Sequence, residues 1–520
     1  MAGVQGLPAR ADIAIVGGGV AGFYLAWRLL QDDHSRSVVV LEGAHRIGGR
    51  LYSQRAPGYS SVCVEHGGMR FSHQHRLLTA LVDFLQLPTA PYNSVLNGHN
   101  PIFLRGQRTS MVDLDNGGDV PYRLPAWMTS HQPGEVIPQA VMSHLQHHQI
   151  DLREAGSLLN GLSMIQYHGK PFDQISFLEL LECICDSEML AYYNDVHGYW
   201  VDTHKDVSAF ELLQGFLPFV SDSNTVTLKG GMQSLPCTLA EQSEALGCSV
   251  GMGARVAQIT KQDDVMVLAG QHDGAPFQLQ ARDVILTLPP NQLRRLDGLL
   301  TLAPSLDTYL SDAVVEIPAI KTHFSYANAW WSSSSIDQGE ARTDLPMRQC
   351  LYMGSDAQRD GVDASSDAGP ALLLASYTDS DASDYWRSFA GADRDPDDLD
   401  GPEDITLRCG HAHRLALMDQ LNQLHGRELP GPLWVSSCDW LLQPSGVATH
   451  SWRAGINSTR ELPRIRHPQA DLSLHLCGEA FSQEQGWVNG ALRSAEAVLQ
   501  SKFALERPSW CPSDAPIDPL

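Results

Sequence analysis

The feature that most constrains this chain is the glycine run Gly17-Gly-Gly19-Val-Ala-Gly22, which stands between two apolar stretches. Residues 13–16 form a short β run, residues 23–30 read as a helix, and residues 38–41 return as a second strand that closes on Glu42. Strand, turn, helix and parallel strand in about thirty residues is the length a βαβ unit needs. The glycines have separate duties. Gly17 makes the tight turn off the strand, Gly19 admits a pyrophosphate to the backbone, and Gly22 lets the helix lie close on the sheet. The helix then aims free amides and the positive end of its dipole at the phosphates. Glu42 is placed to accept hydrogen bonds from a ribose diol. Alone, such a glycine triplet is weak, but in this order and with this acid it predicts a dinucleotide site.

Composition sets the frame around that unit. At 520 residues, 43% apolar and 18% charged, the chain is an ordinary globular protein with room for two to four domains. A net charge of -24 argues against nucleic acid and anionic membrane as partners, because both would be repelled. No eighteen-residue apolar run appears, and residues 1–11 lack a basic segment followed by an apolar core, so neither a membrane span nor a secretory signal is expected. Ten scattered cysteines without a C-x-x-C pair read as reduced thiols of a cytoplasmic protein.

The nucleotide is left as NAD or FAD until the residues after Glu42 are considered. Gly43-Ala-His-Arg-Ile-Gly48-Gly49-Arg50 adds a second glycine pair and an arginine, suited to further contacts with an extended diphosphate. Here the chain resembles the flavin amine oxidase family, and the resemblance implies FAD. Further stretches, reaching to about Phe503, are similar to its L-amino acid oxidase branch. Glu65-His-Gly67-Gly68-Met69-Arg70-Phe71 resembles the turn beside the flavin ring, which implies that Gly68 and Met69 contact the flavin and that Arg70 grips a substrate carboxylate. Lys321, inside the β run of Pro318-Ala-Ile-Lys321-Thr-His-Phe324, resembles the lysine that holds a water against flavin N5. A solvent-facing lysine at a strand edge is the plainer alternative.

The segment over 343–352 resembles the stretch whose tyrosine meets the substrate carboxylate, so Tyr352 is expected there, with a core tyrosine as the alternative. Gly478-Glu479-Ala480 and Gly486-Trp487-Val488-Asn489-Gly490-Ala491 resemble the turn and helix start that hold the flavin. The resemblance implies a ribityl contact for Glu479, ring contacts for Val488 and Ala491, an acceptor for the substrate amine in the Gly486 carbonyl, and a cavity wall in Trp487. Val256, in the β run over 255–259, joins the expected cofactor contacts. His204, in the stretch over 204–210, resembles a histidine that visits the active site in some relatives, with a surface histidine as the alternative. No cysteine lies between Asp439 and Leu476, where the monoamine oxidases attach their flavin, so non-covalent FAD is expected.

The implied fold is α/β (α+β): a GR2-type, Rossmann-like FAD domain with an inserted mixed β-sheet substrate domain and a helical domain. Its expected segments are 1–72, 223–300 and 456–520 for FAD, 73–133 and 301–455 for substrate, and 134–222 for the helices. The implied reaction is oxidation of an L-amino acid by O2 to 2-oxo acid, ammonia and H2O2. An amino acid 2-monooxygenase, an amine or polyamine oxidase, and a flavin-binding protein without turnover stay as alternatives. Expected partners are the amino acid and O2, with a homodimer as an option. Trp330, Trp331 and Trp440 offer aromatic walls and Glu316 a reader for a basic side chain, although core or surface placement suits each. No metal is expected. His144, His147 and His148 lack a neighbouring carboxylate or cysteine, Cys409, His411 and His413 fail similarly, and the acidic stretch over 393–404 has Pro396 and Asp398 where a calcium loop needs a glycine and flexible ligands.

Overall fold

The computed structural model describes residues 6–59, 62–94, 96, 98–129, 136–148, 165–216, 225–336, 338–355, 369–389 and 407–520. The acidic stretches over 356–367 and 393–404 lie outside these residues.

Strand Arg10–Val16 runs through a seven-stranded sheet, flanked in parallel by Val38–Glu42 and Ala275–Leu286. Ser249–Met252 adds a parallel edge beside Val38–Glu42, and Leu474–Leu476 pairs in parallel with residues 284–286. The first half of Ala275–Leu286 turns instead into an antiparallel meander with Val265–His272 and Ala254–Gln262. Parallel strands need cover on both faces, and their near-continuous Val, Ile and Leu runs reflect it. Helix Val20–Asp32 supplies one cover, buried from Val20 to Leu30, and is flanked by helices Ser234–Ala245 and Val488–Phe503. At that junction Arg28 meets Glu496 at 2.6 Å and Tyr24 donates to the same carboxylate at 2.7 Å. The buried charges are thus paired and hydrogen-bonded, the condition under which burial is tolerable.

A second seven-stranded sheet has the order Trp434–Asp439, Ala319–Tyr326, Ala371–Asp379, Gln349–Ser355, Gly339–Thr343, Pro101–Leu104, Gln107–Ser110. It is antiparallel except where Gly339–Thr343 meets Pro101–Leu104. One face packs on helix His411–His425 through Phe324, Tyr352, Leu417 and Leu421; on the other, Leu351, Met353 and Leu374 pack with Met69. Helices Phe177–Ile184, Ser187–His197 and Ala209–Phe216 form a separate core around Leu180, Tyr192 and Phe210. The first of them starts at a reciprocal cap in which Ser176 and Glu179 satisfy each other's backbone amides. Leu306, Leu310, Val314 and Trp452, from the segment expected to serve substrate, pack in the core beneath the first sheet.

Candidate active site

The glycine turn opens on a cavity of about 370 Å³ lined by Gly17, Gly19, Glu42, Gly49, Arg50 and Val256 from the early chain. From the late chain come Gly478, Glu479, Gly486, Trp487, Val488 and Ala491, with Gly68 between. Gly17 has φ +117°, and a Cβ there would fall 2.3 Å from Thr287 Oγ1. Gly22 lies outside the lining, and its Cβ would fall 2.0 Å from the Gly17 carbonyl, so its role is helix-to-turn packing. A Cβ at Gly19 would meet nothing within 4 Å, which leaves the backbone open to a diphosphate. Gly48 donates to the Gly18 carbonyl at 2.9 Å and so pins the second glycine pair on the first. The Glu42 carboxylate accepts from Gly18 N and Ala44 N, each at 2.7 Å. Burial raises its pKa and those two amides oppose the shift. These features fit the diphosphate and ribose of FAD.

Farther along the same cavity, Glu479 is fully engaged. It takes Gly486 N at 2.6 Å, Thr449 Oγ1 at 2.9 Å, His450 Nδ1 at 2.8 Å and Arg50 Nη1. Burial works against its charge, but Arg50, His450 and the Gly486 amide outweigh it and hold the carboxyl well below the usual range. Helix Val488–Phe503 begins here behind Trp487 with no side-chain cap, so its first amides remain available to a ligand. No cysteine lines the cavity, and Cys438 is buried beside Trp440 and Leu407. FAD, held without a covalent bond, is the group these residues fit.

A second cavity, of about 520 Å³, adjoins the first and shares with it Arg50, Gly68, Thr449, Gly486, Trp487 and Val488. Met69, Arg70 and Lys321 line this one. Lys321 is 4% exposed, donates to the Gly67 carbonyl and sits 3.4 Å from Met69 Sδ. Burial first, with Arg70 adding to it against Glu65, brings its pKa down to about 7. Arg70 Nη1 is buried and has no hydrogen-bond partner among the described residues. Burial opposes its charge, yet Tyr199, Glu340, Tyr92 and Tyr377 around it more than compensate and hold the guanidinium firmly protonated.

Two expected site residues are not in this wall. Tyr352 is buried on the opposite face of its strand, its hydroxyl 3.1 Å from His425 Nε2 and its ring against Trp331. Side chains alternate across a strand, and it is Leu351 and Met353 that pack with Met69 on the other face. The tyrosines in the wall are Tyr199 and Tyr377, the latter paired in register with Lys321 and with its ring centre 4.8 Å from Nζ. His204 is likewise outside the lining, its Nδ1 accepting from Asp206 N at 3.2 Å. His197 lines the cavity in its place, 2.5 Å from Asp202. Trp440 is in the wall, whereas Trp330 and Trp331 pack in the core of the far face. Glu316 is on the outside, paired with Arg294 at 2.8 Å.

Tyr199, Tyr377, Asp379 and His450 were not signalled by the sequence. Register alone could have found Tyr377, in the run Leu372-Leu-Leu-Ala-Ser-Tyr377, and register is not local. His144 bonds Tyr167 at 2.7 Å, and among the described residues no group of three or more His, Cys, Asp or Glu could hold a metal ion. No helix among them is long and apolar enough to cross a membrane.

With this geometry in view, comparison with known proteins is informative. The model of the flavin-containing amine oxidoreductases matches residues 20–404. Aplysianin-A of Aplysia kurodai is 27% identical over 522 residues, covering 95% of this chain and 90% of that protein. The flavin-dependent L-tryptophan oxidase RebO of Lentzea aerocolonigenes is 25% identical, with 94% and 97% covered. A solved structure of a putrescine oxidase triple mutant superposes with a TM-score of 0.67 at 19% identity, over 95% of this chain and 99% of that one. That likeness shows the fold.

Proposed function

Because the chain belongs to the flavin-containing amine oxidoreductase family, we propose that it is an FAD-dependent L-amino acid oxidase, turning an L-amino acid, O2 and water into 2-oxo acid, ammonia and H2O2. Bound FAD supplies the acceptor for a hydride from Cα and the route by which its electrons reach O2. The protein's own part is alignment and exclusion of water. Arg70 holds the carboxylate with parallel donors, and Tyr377 shares the cavity wall with it. The Gly486 carbonyl takes a hydrogen bond from the amine, Trp487 closes one side, and Lys321 holds a water for proton delivery.

The observation that carries this reading is the buried guanidinium of Arg70 in the cavity wall, whose Nη1 makes no hydrogen bond among the described residues and has Glu340 Oε1 as its ion-pair neighbour at 3.6 Å. A relative described as an L-tryptophan oxidase supports an amino acid substrate. We further propose a cytoplasmic enzyme, for which the ten free cysteines speak. The test is a panel of the twenty L-amino acids, their D forms and the decarboxylated amines, read by peroxide and 2-oxo acid. Oxidation of amines in place of amino acids overturns the proposal. Release of CO2 and an amide in place of 2-oxo acid turns it into a monooxygenase.

A further inference from the structure

Arg70 does not stand alone behind the cavity wall. Its Nη1 is 3.6 Å from Glu340 Oε1, too far for a hydrogen bond and close enough to feel the charge. Glu340 is 2% exposed, its other carboxylate oxygen is bonded by Arg342 Nη2, and Asn100 Nδ2 holds its backbone carbonyl at 2.9 Å. Arg342 Nη1 bonds Gln349 Oε1, and Gln349 Nε2 donates to the Gly198 carbonyl at 3.3 Å. The next residue, Tyr199, lines the substrate cavity. A Cβ at Gly198 would fall 2.0 Å from Arg342 Nη1, so that guanidinium is packed in place. Two guanidinium groups therefore share one buried carboxylate, and these three side chains together carry one net positive charge, with Asp379 a further carboxylate in the same cavity wall.

We propose that Glu340 is a positioning residue that holds Arg70 by charge without occupying Nη1, and so moderates the grip of Arg70 on carboxylate ligands. This rests on the amino acid oxidase reading. Substrate and 2-oxo acid product carry the same carboxylate, and an arginine without a counter-ion would bind both more tightly. Uniform binding of that kind does not lower the chemical barrier and slows release of product. Arg342 completes the device, because while it bonds Oε2 the carboxylate is kept from closing on Arg70.

The two neighbours of Arg70 should therefore shift ligand binding in opposite directions. Benzoate, a carboxylate with no amine, is titrated into the holoenzyme and followed by calorimetry. With Glu340→Gln it should bind about tenfold more tightly, and KM and kcat for the best amino acid should both fall as product release slows. With Arg342→Met, Glu340 is free to bond Nη1, and benzoate should bind about tenfold more weakly with KM raised. A packing role would weaken binding in both variants. That result, or no change in either, overturns the proposal. Glu340→Asp draws the charge back by one methylene and should follow Glu340→Gln in smaller measure, which keeps the test open if the neutral variant folds poorly. Arg70→Ala separates the two readings. If it binds benzoate as well as the parent does, the carboxylate clamp itself is wrong; if it loses benzoate while Glu340→Gln weakens binding, only the role of Glu340 falls.

Discussion

On the proposed function, Arg70 is the residue that separates amino acids from amines as substrates. Removing one partner of a desolvated charge pair costs about 2 to 5 kcal/mol, so Arg70→Ala should lower kcat/KM by about two orders of magnitude or more. Arg70→Lys should recover part of that, since an ammonium offers a point charge where guanidinium offers a fork. Steady-state kinetics on the best amino acid checks both. Lys321 is expected to act on rate and stability in opposite senses. Its folded pKa of about 7 lies below the ordinary 10.5, so the cost of burying its charge is fully present below pH 7 and fades as pH rises toward 10.5. Lys321→Met should slow turnover or reoxidation while raising stability, most at pH 6 and least above pH 10; melting curves across that range and stopped-flow half-reactions measure it. Equal Tm differences at all pH values would contradict this. Arg70, Lys321 and Glu479 could be singled out from the sequence because short motifs mark them. Tyr352 falls in the core of the far face, its stated alternative, and Tyr377 in the cavity wall; a strand's facing depends on register, which is set by partners far away in the chain.

At the scale of elements, the βαβ unit was legible because all its signals are local: apolar runs, glycines and an acid in fixed order. Two of its glycines should behave differently when changed. Gly22→Ala would gain about 1 kcal/mol of helix propensity, but its Cβ would lie 2.0 Å from the Gly17 carbonyl, which is backbone and cannot yield cheaply. Lower Tm and lost FAD affinity are expected together. Gly19→Ala meets no protein atom within 4 Å, so the apoprotein should melt as the parent does while FAD binds at least tenfold more weakly. Flavin fluorescence titration beside calorimetry of the apoprotein distinguishes the two. The histidine contributed by the helical block shows the limit of such reading. His197 and His204 are seven residues apart, and only the observed turn over 198–203, held where Asp379 accepts Trp200 N and Val201 N at 2.8 and 3.1 Å, brings the first and not the second to the cavity.

For the whole molecule, acid or heat precipitation should release all the yellow colour into the supernatant as FAD, because no cysteine lines its cavity; colour retained in the pellet would contradict this. The nesting of one sheet around an inserted one was implied by family resemblance and by the C-terminal motifs; no local pattern announces that residues 10–16 pair with residues 280–286. That pairing has a consequence for how the protein is made. The first strand leaves the ribosome roughly 15 to 55 seconds before its neighbour, at about 5 to 20 residues per second. Leu474–Leu476 and the helix whose Glu496 neutralises Arg28 come later still. A nascent chain stalled before residue 474 should therefore hold no flavin, as fluorescence would reveal. On that expectation the coenzyme is loaded only after Leu474–Leu476 and the helix bearing Glu496 have been made.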